Sequence, residues 1–96
     1  MKVLFYAEAV QELRDAASYY KSIYTELGLD FQAEIKTQIH KISENPELSP
    51  IRDDMTRRIS LARFPYFIIY LLEKDIIWIV AVAHHKRFPD YWKNRI

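Results

Sequence analysis

The hydrophobic pattern of this chain is dominated by two apolar runs in its last third. They span Tyr66–Leu72 and Ile76–Ala83, and the charged triplet Glu73–Asp75 separates them. Both runs are rich in β-branched and aromatic residues, which favour a pleated and largely buried surface. Runs of seven and eight residues have the length of strands, and the short polar connector between them predicts a β-hairpin.

The second strand of the predicted hairpin is apolar on both faces. Side chains alternate along a strand, which predicts two apolar sets on opposite faces, one with Ile76, Trp78, Val80 and Val82 and the other with Ile77, Ile79, Ala81 and Ala83. An antiparallel strand with one face in water should instead alternate apolar and polar residues. The second face therefore needs a cover, which either residues 88–96 or a partner protein could provide.

The first half of the chain predicts a strand followed by two helices. Residues 2–6 form a short apolar strand. Apolar residues then recur at helical spacing, at Val10, Leu13, Ala17, Tyr20, Tyr24 and Leu27. The only glycine, Gly28, follows at a position suited to a helix C-cap, so we expect the first helix to end there. Asp30 is expected to cap a second helix, which Pro46 closes and whose apolar face holds Phe31, Ile35, Ile39 and Ile42.

The remaining segments complete the predicted fold. Residues 46–56, with two prolines and two aspartates, are expected to form a loop, and residues 57–64 form a strand that Pro65 ends. The order β-α-α-β-β-β predicts an α+β fold, in which a helical hairpin packs on one face of a small, mostly antiparallel sheet. Ninety-six residues suffice for one hydrophobic core, so we expect a single domain over residues 1–96.

The amino-acid composition excludes several classes of chemical site. The chain contains no cysteine, which excludes disulfides, thiolate catalysis and cysteine zinc sites. No apolar run has the length of a membrane span or a signal-peptide core, so we expect a cytoplasmic protein without a membrane partner. Nucleotide-binding glycine loops and HExxH sequences do not occur, and the adjacent His84 and His85 should point to opposite faces of a strand. We therefore expect no metal, no cofactor and no small-molecule substrate.

Charge is divided unevenly between the two halves of the sequence. Residues 1–56 carry six Lys or Arg against ten Asp or Glu, whereas residues 57–96 carry eight against three. A basic half indicates an anionic partner, either nucleic acid or an acidic polypeptide. The alternative is that the two halves neutralise each other across one small domain.

Side chains suited to RNA cleavage gather around the end of the last predicted strand. Attack of a 2′-hydroxyl on its own phosphate requires a base, an acid and a cation that stabilises the phosphorane. Candidates for these roles are His84 or His85, Tyr91, and Arg63 or Arg87. The alternative is structural, with hydrogen-bonded histidines at a strand end, solvated arginines, and Tyr91 and Trp92 as core anchors.

Several short motifs follow one another along nearly the whole chain. They are Tyr19-Tyr20, Gly28, Phe31, Pro46, Arg57-Arg58, Phe64-Pro65-Tyr66, Ile69-Tyr70, Val82–Arg87 and Tyr91-Trp92. Together with the element order, this series resembles the RelE/ParE superfamily, the toxins of type II toxin–antitoxin (plasmid stabilisation) pairs. The resemblance implies a small bacterial toxin, neutralised by a co-expressed antitoxin whose acidic, partly disordered segment wraps around it. Residues expected to bind the antitoxin or the target are Arg57, Arg58, Arg63, His84, Lys86, Arg87 and Trp92.

The family divides by target. RelE-like members cut mRNA on the ribosome, whereas ParE-like members poison DNA gyrase and are not known as nucleases. In the nucleolytic branch an arginine commonly follows the first tyrosine of the third strand, where this chain has Phe67 after Tyr66. We therefore predict a ParE-like gyrase inhibitor. One alternative is an inactive toxin that only binds its antitoxin. The other is a ribosome-dependent mRNA endoribonuclease, whose catalytic residues would be His85, Tyr91, Arg63 and Arg87.

Overall fold

The computed structural model describes all of residues 1–96 and contains the predicted elements in the predicted order. The strands are β1 (Lys2–Phe5), β2 (Thr56–Ser60), β3 (Tyr66–Glu73) and β4 (Ile76–His84), and the helices are α1 (Ala7–Ile23) and α2 (Thr25–Glu44). They form one sheet with the strand order β1-β4-β3-β2. Because only β1 is parallel to its neighbour, the predicted α+β fold with a mostly antiparallel sheet is confirmed.

The hairpin of β3 and β4 is the centre of the sheet. Glu73 pairs with Ile76, so only Lys74 and Asp75 form the turn, and Lys74 has a left-handed backbone (φ 56°). Left-handed turn residues match the right-handed twist of the flanking strands. The preceding strand, β2, is shorter than predicted and ends at Ser60.

The prediction that the first helix ends at Gly28 and that Asp30 caps the second is wrong. Tyr24 alone separates α1 from α2, with an extended backbone (φ −160°, ψ 151°), and Gly28 lies buried inside α2. A Cβ atom on Gly28 would lie 2.6 Å from Cγ of Lys21 and 2.9 Å from the carbonyl oxygen of Ala17. Gly28 therefore permits the close approach of the two helices. The hydrophobic pattern of the sequence cannot distinguish a glycine at a helix contact from a glycine at a helix C-cap.

Both helices cover one face of the sheet, here called the helix face, and form the main core there. Phe31 is fully buried, and its ring centroid lies 5.2 Å from that of Phe64 and 5.3 Å from that of Tyr66. The other buried residues of this core are Ala9, Ala16, Ala17, Ile35, Ile42, Leu61, Ile68, Tyr70, Ile77, Ile79 and Val82. Neither helix has the length and apolar character that crossing a membrane requires.

A β-bulge in β4 changes which residues share a face. The pairing register shifts between Ile69 and Tyr70 of β3, which leaves Val80 as an extra residue on β4. Beyond the bulge, Val82 lies in the helix-face core and Ala81 packs on the opposite face. Simple alternation predicts the reverse, so the predicted faces are wrong from Ala81 onward.

The C-terminal segment, residues 88–96, covers the opposite face of the sheet, here called the tail face. Trp92 is 2% exposed and packs with Ile69, Val80, Ala81 and Ala83 in a second, smaller core. The sequence allows either this segment or a partner protein as the cover. In the structure the chain's own C-terminal segment fills that place.

Candidate functional site

A cleft opens between the tail face and the C-terminal segment. Its volume is about 130 Å³, and its lining residues are Arg58, Phe67, Ile69, Ala83, His84, His85, Arg87, Phe88, Pro89, Asp90, Tyr91 and Trp92. The strands supply a rigid apolar floor, and the segment after β4 supplies most of the polar groups. The end of β4 is fixed there because the N–H of His85 donates to the carbonyl of Pro65 at 2.8 Å.

Arg58 is the unpaired cation of this cleft. Its guanidinium carbon lies 5.4 Å from the ring centroid of Phe67 and 6.0 Å from that of Trp92, and its buried Nε has no hydrogen-bond partner. Burial lowers the pKa of Arg58, and the charge of Arg52 lowers it further. A partly desolvated guanidinium between two aromatic rings, without a carboxylate within ion-pair distance, is suited to an anionic group from outside.

The two adjacent histidines point to opposite faces. The ring of His84 lies 5.0 Å from that of Tyr66 on the helix face, and its Nδ1 accepts the N–H of Lys86 at 3.0 Å. The ring of His85 lies 4.2 Å from that of Phe67 on the tail face. Nε2 of His85 is 3.2 Å from the hydroxyl oxygen of Ser60, within hydrogen-bond distance. Only His85 presents an oriented imidazole at the mouth of the cleft.

Glu12 of α1 ties the C-terminal segment to the sheet. Its carboxylate accepts the hydroxyl of Tyr91 and two guanidinium N–H groups of Arg95, each of the latter at 3.0 Å. The same carboxylate accepts the N–H of Val82 at 3.0 Å, and Arg95 donates to the carbonyl of Val80 at 3.0 Å. This Glu12 cluster, formed by Glu12, Tyr91 and Arg95, therefore satisfies backbone groups of the bulge residue Val80 and of Val82 just beyond it, in a part of β4 that β1 is too short to pair.

Tyr91 is held as a proton donor. Burial raises the pKa of its phenol, and the hydrogen bond to Glu12 raises it further. Its ring also carries the guanidinium of Arg87 at 3.9 Å from the centroid, and Nη1 of Arg87 lies 4.0 Å from Oε2 of Glu12. A phenol in this arrangement is a poor general base near neutral pH.

Arg57 and Arg63 lie outside the cleft. Nη1 of Arg63 forms an ion pair with Asp30 at 3.2 Å, on the side of α2, and the backbone N–H of Arg63 bonds the carboxylate of Glu34. Nη1 of Arg57 donates to the carbonyl of Ser49 at 2.8 Å. The structure therefore does not bring Arg63 together with the other three residues predicted for catalysis.

The predicted site residues thus divide into two groups. Those that line one cleft are Arg58, His84, His85, Arg87, Tyr91 and Trp92, whereas Arg57, Arg63 and Lys86 lie elsewhere. Trp92 is buried and leaves almost no surface for a partner. Glu12 and Arg95 are absent from the predicted set because they lie 83 residues apart in sequence and belong to no motif. The sequence shows only that Glu12 is an acidic residue next to the apolar face of the first helix and that Arg95 is a basic residue near the end of the chain.

Comparisons with known proteins agree with this fold. The family described as "ParE toxin of type II toxin-antitoxin system, parDE" matches residues 3–89. The chain is similar to a structure titled "Chromosomal ParDE TA system from P. aeruginosa", with a TM-score of 0.76 and 17% identity over 88% of this chain and 95% of that one. It is also similar to the isolated E. coli RelE toxin, with a TM-score of 0.66 and 17% identity over 98% and 94% of the two chains. No curated protein matches at a significant level.

Proposed function

The chain belongs to the ParE toxin family of type II toxin–antitoxin systems, and we propose that it acts by binding and inhibiting DNA gyrase, without catalysing a reaction. We further propose that it works in the cytoplasm and that a cognate antitoxin holds it inactive. The proposal concerns the target and the partner, since membership of the family already follows from the match over residues 3–89.

The observation that carries the gyrase proposal is the position of Phe67. Its ring lies 4.2 Å from that of His85 and 5.4 Å from the guanidinium carbon of Arg58. In the nucleolytic branch of the RelE/ParE superfamily, an arginine commonly occupies this strand position. An aromatic ring there cannot neutralise a phosphorane, so the cation typical of the nucleolytic branch is absent from this strand position.

Two further features agree with a binding role. Arg63, one of the expected phosphate-binding residues, is paired with Asp30 away from the cleft. Tyr91 donates its hydroxyl to Glu12, and its raised pKa keeps it protonated. A nuclease would have to break the Glu12 cluster before Tyr91 could take part in proton transfer.

We propose that the antitoxin is acidic and contacts the basic end of the sheet. Arg58 is the strongest candidate, because its guanidinium is partly desolvated and has no ion-pair partner. Arg87, which lines the same cleft, and Lys86, its neighbour in sequence, are both exposed. Charge-assisted hydrogen bonds to such groups are about twice as strong as neutral ones. His84, which lines the cleft, and Arg57 and Arg63, which lie outside it, are further proposed contacts.

A second candidate function is ribosome-dependent cleavage of mRNA. It is favoured by one observation, the presence of Arg58, His85 and Arg87 around a single cleft with His85 oriented by Ser60. An oriented imidazole beside two cations is a partial acid–base set. In this alternative Arg58 takes the role that the sequence assigns to Arg63.

The test is to separate the two targets in one series of variants. We expect the purified chain in excess to abolish supercoiling by gyrase, and primer extension on mRNA after induction to show no new ends. His85→Ala should keep the growth arrest, as should Lys41→Ala, a matched control on an exposed part of α2.

Two other outcomes would contradict inhibition of gyrase. Codon-positioned mRNA ends that disappear in His85→Ala, with supercoiling intact, would establish the nuclease. Normal growth after induction, combined with persistent antitoxin binding, would identify an inactive toxin.

A further inference from the structure

Four aromatic rings form a strip across the end of the sheet on the helix face. On α1, the ring centroid of Tyr19 lies 5.3 Å from that of Tyr20. The ring of Tyr20 lies 6.4 Å from that of Tyr66 at the start of β3, and Tyr66 lies 5.0 Å from His84 at the end of β4. All three pairs meet edge to face, a geometry that aromatic rings favour. This aromatic strip therefore joins the last turns of α1 to the ends of the two central strands.

The outer end of the aromatic strip is open to solvent. Tyr19 is 61% exposed, whereas Tyr20, Tyr66 and His84 are partly buried. Ile23 follows Tyr19 by one helical turn, lies on the same side of α1 and is 54% exposed. Large apolar side chains that meet at one place on a surface mark an interaction site, and tyrosine is among the residues that dominate the energy of protein interfaces. This end of α1 therefore has the composition of a binding surface.

The aromatic strip is rigid because its inner rings belong to the main core. The ring centroid of Tyr20 lies 4.8 Å from that of Phe64 and 5.3 Å from that of Phe31. Tyr24 alone connects the end of α1 to α2, so this end cannot move independently of the helical hairpin. A side chain supported in this way loses little conformational freedom when a partner binds it.

Two cations lie next to the inner end of the aromatic strip. The N–H of Lys86 donates to Nδ1 of His84 at 3.0 Å, and the N–H of Arg87 donates to the carbonyl of His84 at 3.0 Å. Both side chains are exposed. Lys86 forms no ion pair, and Arg87 pairs only with Glu12, at 4.0 Å. The surface is therefore aromatic at one end and positively charged at the other.

We propose that the aromatic strip, together with Ile23, Lys86 and Arg87, is the surface that binds gyrase. Its occupant is an apolar segment of the gyrase protein that carries acidic side chains. The apolar side chains of that segment pack on Tyr19 and Ile23, and its carboxylates pair with the two cations. The inference rests on the proposed function, because it takes gyrase as the target, and it adds the place of contact.

The chemistry of this surface favours a protein segment over DNA and over a second copy of the chain. Two cations neutralise too few phosphates to hold DNA, and rings packed edge to face do not present the parallel open faces on which bases stack. A second copy would bring the same two cations to the same place, where like charges repel. An acidic segment with apolar side chains complements both ends of the surface.

The first experiment measures inhibition of supercoiling by purified gyrase with the full chain and two matched variants. Tyr19→Ala removes the exposed ring of the aromatic strip. Tyr24→Ala removes a ring of the same kind, 54% exposed on the same hairpin but outside the strip. We expect Tyr19→Ala to raise the concentration for half inhibition at least about tenfold, and Tyr24→Ala to change it by less than about twofold.

A footprint on the unmodified chain makes the test independent of how the variants fold. Hydroxyl radicals should label Tyr19 and Tyr24 to a similar extent in the free chain, because their exposures are similar. In the complex with gyrase we expect Tyr19 to be protected at least about threefold and Tyr24 to be labelled as before.

A second pair of variants tests charge. Lys86→Glu should weaken inhibition about tenfold. Lys41→Glu, the same change at an exposed site on α2 away from the aromatic strip, should leave it within about twofold. Unfolding midpoints of all four variants within a few degrees of the parent chain exclude misfolding as the cause.

The outcomes distinguish this inference from the proposed function. Equal inhibition by the parent chain and by Tyr19→Ala, with Tyr19 labelled equally in the free chain and the complex, overturns the inference and leaves gyrase as the target. No inhibition of gyrase by the parent chain overturns both. A dimer in sedimentation that Tyr19→Ala dissociates, or binding to free DNA that Tyr19→Ala abolishes, would give the surface to a different occupant and overturn the inference.

Discussion

The two faces of the sheet are stabilised by different kinds of interaction. On the helix face thirteen buried apolar residues from both helices and the strands form one continuous core. On the tail face only five residues form a core, centred on Trp92, and the C-terminal segment is held largely by the Glu12 cluster and by Arg87. Apolar packing cannot be exchanged without opening the fold, whereas hydrogen-bonded charges can change partners.

The helix face thus provides most of the stability, whereas the tail face can rearrange more easily. Regions with few buried apolar contacts open at a lower free energy than the main core. The tail face also carries the partly desolvated Arg58 and the oriented His85. Arg58, which we propose to bind the antitoxin, thus lies on the face that is less costly to rearrange.

The largest effect is expected on the helix face. Phe31→Ala removes a fully buried ring that contacts Tyr20, Phe64 and Tyr66 and should lower the free energy of unfolding by about 3–5 kcal/mol. Chemical denaturation measures it. Leu29→Ala, on the same helix but half exposed, is the control and should change the free energy by less than about 0.5 kcal/mol. Equal effects for the two variants would contradict the assigned core.

Trp92→Ala should act on the tail face with a smaller global effect. We expect a loss of about 3 kcal/mol, because a small core near the surface relaxes more easily than the main one. Native-state hydrogen exchange should show faster exchange at Ala81 and Ala83 with little change in α2. Phe88→Ala, in the same segment but 79% exposed, is the control. Uniformly faster exchange throughout the protein would show that the two faces unfold as one unit.

Most of the helix face could be predicted from the sequence. Periodic apolar residues identify both helices and both strands of the hairpin, because a 3.6-residue or two-residue period is a local property. The prediction errors occur where the local structure depends on residues that are distant in sequence. Gly28 meets Ala17 and Lys21 across the helical hairpin, and the bulge at Val80 shifts the faces of β4. Neither the helix–helix contact of Gly28 nor the β-bulge leaves a local pattern in the sequence.

Less of the tail face could be predicted. The doubly apolar strand β4 shows that a cover is needed, and Trp92 is a suitable anchor, but the sequence leaves open whether the cover is internal. The carboxylate that holds this cover comes from α1, 79 residues before Tyr91. Pairing over that distance depends on the assembled fold. Residue type alone also misplaced Arg63, which pairs with Asp30 instead of joining the cleft.

Glu12→Gln tests the attachment of the C-terminal segment. The amide keeps the shape but loses the charge that Arg95 and Tyr91 share, so we expect a loss of about 2 kcal/mol in the free energy of unfolding. Glu26→Gln, an exposed acid in the first turn of α2, is the control. Proteolysis near the C-terminus should accelerate in Glu12→Gln only. An unchanged cleavage rate would mean that Trp92 alone holds the segment.

The pH dependence of stability separates the faces further. Burial, followed by the hydrogen bond to Glu12, raises the pKa of Tyr91, so the protonated phenol is favoured in the folded state. The unfolded chain then loses its proton first, near pH 10. The contribution of Tyr91 is fully present below that pH and declines as the pH rises toward the folded-state pKa. Burial also raises the pKa of Tyr20, Tyr66 and Tyr70, which adds an alkaline loss on the helix face.

Tyr91→Phe should therefore remove the part of the alkaline destabilisation that belongs to the tail face. At neutral pH the variant loses one hydrogen bond, worth about 1 kcal/mol. Between pH 8 and pH 11 its denaturation midpoint should fall less steeply than that of the parent chain, and the remaining slope reports Tyr20, Tyr66 and Tyr70. Tyr24→Phe, at an exposed site, should reproduce the parent slope. Parallel curves for Tyr91→Phe and the parent chain would show that the phenol of Tyr91 is not bonded to Glu12 in solution.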